Sequence, residues 1–180
     1  MDFLQLYEAG INNCIAIGGT AFTPEAAIAI KRENENVFII FDGDQPGKDA
    51  ALKCGYMLFS IGVEAKIIIP PDNLDPDDWI RKDKASAVLA ALDKGKNVID
   101  TDYAMFAENN SDGILGSNKF IELTLNKISN FEDPIVIKSI IKRIAQLTDL
   151  PKNDIFDKLD KKRYKPRNTS LPKENSIHEK

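Results

Sequence analysis

The stretch that decides the fold of this chain is residues 37–44, VFIIFDGD. Its apolar part is rich in β-branched and aromatic residues and is too short for a helix, which predicts a strand buried on both faces. The strand ends in two carboxylates, Asp42 and Asp44, on either side of Gly43. Because ligands bind beyond the carboxyl ends of strands in open α/β sheets, the sequence places a candidate site there.

Two further apolar runs, Cys14–Ile17 and Lys66–Ile69, predict strands of the same kind. Helical patterns lie between the runs. Thr23-Pro24 is typical of a helix start, and residues 46–61 place their apolar side chains on one helical face. Strands that alternate with helices predict an α/β fold with a parallel sheet.

The second half of the chain is predicted to be helical, because no strand pattern returns after residue 71. The predicted helices cover residues 75–81, 85–92, 98–107 and 118–128, with one that opens at Asp133-Pro134 and a last one around 155–159.

A polar loop, Asn109–Gly113, marks the predicted domain boundary. We expect an α/β unit in residues 1–108 and a small helical unit in residues 114–162. Residues 163–180 are rich in Lys, Arg, Pro, Asn and Ser, which predicts a basic linker or a disordered tail.

The composition excludes several classes of protein. The chain has 180 residues, 43% hydrophobic and 29% charged, which is typical of a globular protein. No apolar run reaches the roughly 18 residues needed to cross a bilayer. Cys14 and Cys54 are too few for a disulfide framework or a four-cysteine zinc site, so we expect a cytoplasmic protein. The one histidine, His178, lies near the end, which argues against catalysis by a central histidine base.

The charge is unevenly distributed. Residues 1–150 contain 15 basic and 23 acidic side chains, whereas residues 151–180 contain 9 and 5. An acidic body argues against simple electrostatic binding of nucleic acid by these residues, since such binding needs clustered Lys and Arg.

A second acidic cluster follows the run at 66–69. Asp75, Asp77 and Asp78 lie in the sequence DPDDW. If the two strands are neighbours, both clusters emerge at the same edge, and converging carboxylates repel one another unless a cation offsets them. We therefore predict a site for Mg²⁺ or Mn²⁺ that includes Asp42 and Asp44. The simpler alternatives are that Asp75 only caps a helix and that Asp-Gly only forms a turn.

Three further features carry weaker signals. The residues Gly18–Thr20 predict a glycine turn that can present N–H groups to phosphate, but the segment lacks the lysine of a P-loop. Lys48 can pair with a carboxylate or a phosphate, or be an ordinary exposed lysine. Trp79 is expected to pack against the sheet.

Together these motifs resemble the bacterial DNA primases of the DnaG type over about residues 1–162. The resemblance is carried by Phe41-Asp42-Gly43-Asp44, Gly47-Lys48, Ala50-Ala51, Asp75-Pro76-Asp77, Arg81-Lys82, the segment Gly18–Glu25 and the helical stretch Asn118–Leu159.

The resemblance implies a toprim fold, a Rossmann-like parallel sheet with flanking helices, followed by a small helical bundle. It also implies a primosome component for DNA replication: a nucleotidyltransferase that makes short RNA primers on a single-stranded DNA template from ribonucleoside triphosphates. In such a site one cation activates the primer 3′-oxygen and a second neutralises the leaving pyrophosphate. The implied catalytic and metal ligands are Asp42, Asp44, Asp75 and Asp77. Gly43 would make the turn, and Lys48 is a weaker candidate for phosphate or acid pairing.

The sequence also departs from the family. The family's first toprim motif is Glu-Gly-Tyr-Met-Asp, and the chain begins with its last two residues, Met1-Asp2. We therefore expect a piece truncated at both ends, inactive by itself. The zinc-binding domain and the domain that contacts the replicative helicase would lie outside it.

Two other functions stay open. The first is a non-catalytic, degenerate toprim module that binds metal or a protein partner. The second, less favoured, is a receiver-like phosphoacceptor domain, which expects its acid pair after the first strand.

Overall fold

The computed structural model describes residues 2–17, 22–33, 36–110 and 113–164. Within these ranges the elements are α1 (Asp2–Glu8), α2 (Pro24–Glu33), β1 (Val37–Ile40), α3 (Gln45–Ser60), β2 (Ala65–Ile68), a 3-10 turn (Pro71–Asn73), α4 (Pro76–Leu92), β3 (Lys96–Asn97), α5 (Val98–Asn109), α6 (Ile114–Ile128), α7 (Pro134–Thr148) and α8 (Lys152–Arg163). None of the helices in this part of the chain is long and apolar enough to span a bilayer.

The sheet is mixed rather than fully parallel. Its order is β1-β2-β3, with β1 parallel to β2 and β3 antiparallel to β2. The α/β class and the two strands at 37–41 and 66–69 are confirmed. The third strand was not predicted, because the two residues Lys96 and Asn97 carry no apolar run.

The predicted strand Cys14–Ile17 is wrong. These residues lie outside any helix or strand, and Ile15 and Ile17 are 73% and 39% exposed. A buried strand needs a hydrogen-bonded neighbour and apolar cover, and none of the described residues pairs with this segment. The Cys14 thiol instead donates to the carbonyl of Ile11, which turns the chain just after α1. The glycine turn at 18–20 lies outside the described residues.

The two faces of the sheet belong to different hydrophobic clusters. Ile39 and Ile67 lie in the larger cluster, which also includes buried side chains of α3, α5 and the last three helices. Their neighbours Ile40 and Ile68 point to the other face, as the two-residue period of a strand requires, and pack in a smaller cluster. Trp79 lies in that smaller cluster and is buried, so its predicted packing against the sheet is confirmed.

The predicted helices are all present, with some changes at their ends. α6 begins at Ile114 rather than near residue 118. The two helices predicted within 75–92 form α4, broken at Lys84, whose backbone has φ 66° and ψ 167°. Phe120 of α6 contacts Tyr103 of α5 edge-on at a centroid distance of 5.0 Å. The helical half therefore shares a core with the α/β half, and the boundary at 109–113 stays a prediction. Residues 165–180, with His178, lie outside the described residues.

Candidate functional site

The loops that follow β1 and β2 lie side by side. Ile40 pairs with Ile68 in the register of the two strands, so both strands end at the same edge. Beyond this edge the N–H of Gly43 donates to the carbonyl of Leu74 at 2.8 Å. A Cβ at Gly43 would lie 2.6 Å from the carbonyl oxygen of Pro70. Glycine is needed here because the two loops touch, whereas the sequence had indicated only a tight turn.

Asp42 and Asp44 occupy the first of these loops, and both are exposed. Asp44 is also the N-cap of α3, where its Oδ1 accepts a 2.8 Å hydrogen bond from the N–H of Gly47. A Cβ at Gly47 would overlap the backbone of Asp42, so the first turn of α3 packs directly on the acidic loop. The loop is thus fixed by β1 on one side and by α3 on the other.

The second acidic cluster forms the first turn of α4. Asp75 is the N-cap, and its Oδ1 accepts a 2.7 Å hydrogen bond from the N–H of Asp78. Asp77 forms an ion pair between Oδ2 and Nη2 of Arg81, at 2.9 Å. Its other oxygen, Oδ1, is buried and has no hydrogen-bond partner within the described structure. Asp78 is exposed.

Basic side chains flank the acidic edge. Lys82 pairs with Asp72 at 2.6 Å, and that hydrogen bond raises the pKa of the lysine above its ordinary value. The backbone N–H of Lys48 donates to the carbonyl of Asp44. Its half-buried side chain forms no ion pair with a carboxylate in the described part of the chain.

The donor set at this edge has the chemistry of a site for a hard divalent cation. Mg²⁺ in proteins commonly binds one or two carboxylates and completes its shell with water and substrate phosphate. Within the described residues no three Asp, Glu, His or Cys side chains are close enough to enclose an ion. Helix capping occupies one acceptor position of Asp44 and of Asp75, whereas a carboxylate has about four. The buried, unpartnered oxygen of Asp77 adds a further donor atom.

A buried polar network that sequence reasoning missed joins three helices at the core. The Tyr56 hydroxyl of α3 donates to Asp102 of α5 at 2.6 Å. Nζ of Lys127 in α6 donates to both oxygens of the same carboxylate, at 2.7 and 2.6 Å. Burial, and then the charge of Asp102, raises the pKa of Tyr56. These residues are far apart in the sequence, so no local spacing indicates the network.

Comparisons with known proteins agree with this architecture. Residues 1–80 match the family described as Toprim-like. The chain is 31% identical over 161 residues to the DNA primase of Clostridium acetobutylicum, and the match covers 87% of this chain and 26% of that relative. The chain spans about a quarter of the length of the curated relatives it matches first.

Solved structures show the same fold. A DNA primase domain from Pseudomonas aeruginosa has a TM-score of 0.75 and 21% identity, covering 88% of this chain and 51% of that one. A DnaG primase catalytic domain solved bound to single-stranded DNA has a TM-score of 0.66 and 23% identity, covering 81% and 48%. The toprim fold and the resemblance to bacterial DNA primases, both expected from the motifs, are confirmed.

Proposed function

We propose that this chain, a relative of the DnaG-type DNA primases, carries the acidic nucleotidyl-transfer site of a template-dependent RNA polymerase that makes primers for DNA replication. Its substrates would be ribonucleoside triphosphates and a single-stranded DNA template, and its place of action the cytoplasm. The proposal rests on the acidic edge of the sheet and on the similarity to the DNA primases.

One observation carries the proposal. The hydrogen bond from Gly43 to Leu74 joins the two acidic loops, and the absence of a Cβ at Gly43 permits the contact. Two carboxylate-bearing loops fixed against each other favour cation binding, because like charges held close are stabilised by a counter-charge. A simple pair of helix caps would not need the two loops to touch.

The proposed roles follow from the positions of the side chains. Asp42 and Asp44 are the principal ligands of Mg²⁺ or Mn²⁺, because they are exposed at the end of β1. Asp75 and Asp77, in the first turn of α4, would complete the site only when a bound cation draws these carboxylates together, since no three of them enclose an ion in the described structure. A cation bound there would stabilise the charge that develops on the phosphates and activate the attacking 3′-oxygen. Lys48 lies one turn into α3 and is the weaker candidate, for pairing with a substrate phosphate or with a carboxylate.

The charges of this chain give little support for binding of a DNA template. One related catalytic domain was solved with single-stranded DNA, which supports a DNA template. The acidic excess of residues 1–150 opposes electrostatic binding by these residues. We therefore expect a protein made of residues 1–180 only to bind single-stranded DNA weakly and to synthesise no measurable primer. Zinc and the replicative helicase would be bound by other parts of a primase.

A second candidate function is a non-catalytic toprim module. It is favoured by the capping bonds of Asp44 and Asp75 and by the lack of a three-carboxylate group within the described residues. In that case the acids stabilise helix starts, and the chain binds metal or a protein partner without catalysis.

Titration calorimetry with Mn²⁺ tests the site. We expect the parent chain to bind Mn²⁺ and Asp42→Asn to bind it severalfold more weakly. Asp78→Asn is the matched control, since it removes the same charge from an exposed side chain that we assign no role. Equal weakening in both variants, or none in Asp42→Asn, would show that the site is assigned wrongly. Primer synthesis by a protein extended to the length of its relatives, lost in Asp42→Asn, separates the polymerase from the non-catalytic module.

A further inference from the structure

We infer that Arg81 is a positioning residue, which holds the Asp77 carboxylate so that its second oxygen is kept for the metal. This inference rests on the proposed function, since it assigns a role within the same site.

The two carboxylate oxygens of Asp77 have different surroundings. Arg81 lies one helical turn after Asp77 and contacts only Oδ2, at 2.9 Å. The Asp77 side chain is 14% exposed, against 55% for Arg81. Oδ1 is buried without a partner among the described residues. A buried carboxylate oxygen without a donor is costly, so it indicates a ligand that the described residues do not supply.

The position of Asp77 in α4 explains why an ion-pair partner is needed to fix the orientation of its carboxylate. It is in the first turn of α4, where the free N–H groups and the helix dipole attract a carboxylate. Asp75 shows this effect, since its Oδ1 caps the same helix through Asp78. A pair with Arg81 keeps Asp77 from turning to the helix N-terminus or to solvent.

The neighbouring ion pair supplies a matched comparison. Lys82 follows Arg81 directly and pairs at 2.6 Å with Asp72, which is 66% exposed. Both pairs thus place one positive charge beside one carboxylate near the same edge. Only the pair of Arg81 involves a carboxylate with a buried, unpartnered oxygen.

The sign of the effect on Mn²⁺ affinity distinguishes positioning from charge. If Arg81 acted only as a nearby positive charge, its removal would make the site more negative and Mn²⁺ would bind more tightly. If it positions Asp77, its removal weakens binding, and loss of such supporting contacts typically costs about 10–100-fold in metal affinity.

The experiment measures Mn²⁺ affinity and the electron paramagnetic resonance spectrum of bound Mn²⁺ in the 180-residue chain. We expect Arg81→Gln to bind about tenfold more weakly with an altered spectrum. Lys82→Gln should bind equally or more tightly, and Arg81→Lys should recover most of the affinity because a lysine at this spacing still reaches Asp77. Thermal melting in EDTA identifies any variant that has lost its fold. If Arg81→Gln has lost it, Arg81→Met replaces it as the variant that removes the ion pair.

Each outcome has a defined meaning. Tighter or unchanged binding by Arg81→Gln, or weakening equal to that of Lys82→Gln, overturns the inference. If Asp77→Asn weakens binding while Arg81→Gln does not, only the role of Arg81 is refuted and the metal site stands. If the parent binds no Mn²⁺, both the proposed site and the inference fail.

Discussion

Lys127→Met is expected to destabilise the chain more than its partly exposed position indicates. The Lys127 side chain is 38% exposed, but the Asp102 side chain that it pairs with is only 9% exposed. The substitution keeps most of the apolar stem and removes the charge. Among the residues that the structure describes, Asp102 then retains one donor, the hydroxyl of Tyr56 at 2.6 Å.

The magnitude follows from this geometry. Removal of one partner from a buried ion pair costs about 3–5 kcal/mol, because it leaves a charge without compensation. Water reaches Lys127, so Asp102 is partly screened and the cost falls below that range. Loss of the contact between Nζ and the Tyr56 ring, at 5.2 Å, adds to the cost. We expect a loss of about 2–3 kcal/mol in the free energy of unfolding, or about 5–10 °C in melting temperature for a chain of this size.

Urea unfolding followed by circular dichroism measures the difference. Lys142→Met is the control, since Lys142 is an exposed lysine of α7 with no ion pair among the described residues. Its effect should stay within about 0.5 kcal/mol. If the two substitutions cost the same, Asp102 does not depend on Lys127 and the reasoning about the buried network is wrong.

Four other predictions concern pH, reactivity and the site. The pKa of Tyr56 is raised in the folded state, so above about pH 10 the unfolded chain loses this proton while the folded chain keeps it. The free energy of unfolding should therefore fall as the pH rises above about 10. In urea melts at a series of pH values, Tyr56→Phe should show a smaller fall than the parent. Burial raises the pKa of the Cys54 thiol to about 12 and the side chain is 3% exposed, so a thiol reagent at pH 8 should label it only as the chain unfolds; labelling before unfolding would contradict this. Gly43→Ala places a Cβ 2.6 Å from the Pro70 carbonyl and should cost about 1–3 kcal/mol and weaken Mn²⁺ binding; parental values for both in calorimetry would refute the loop contact. Limited proteolysis should cut first within 109–113 or after residue 161, and first cuts within 37–69 would argue against the buried sheet.

Local signals account for the parts of the fold that the sequence predicted. The runs at 37–41 and 66–69 are mostly apolar because each face of the sheet packs in a hydrophobic cluster, although Phe38 and Lys66 are exposed. The starts of two helices could be predicted because Thr23 and Asp133 are each followed by proline. Both side chains cap the helices that begin there. The run Cys14–Ile17 has a similar composition but lies exposed, since composition does not say whether a neighbouring strand is present.

The candidate site likewise has parts that the sequence predicted and parts that it did not. The positions of the carboxylates were readable, because strand ends and DPDDW are local patterns. The pair of Asp77 and Arg81 lies at a helical spacing of four, so a search for such spacings could have found it. The contact between Gly43 and Leu74 joins loops 31 positions apart and has no local signature.

The break in α4 allows this long helix to pack on a sheet of much shorter strands. A straight helix of 17 residues would run about 26 Å, whereas a four-residue strand spans about 13 Å. The positive φ of Lys84 redirects the helix, so Trp79 before the break and Val88 after it reach the same small cluster beside Ile68. The two halves of α4 therefore cover the same short sheet as two separately oriented segments. We expect substitutions around Val88 to alter the packing of the second half of α4, while the acidic first turn, on the other side of the break, keeps its place.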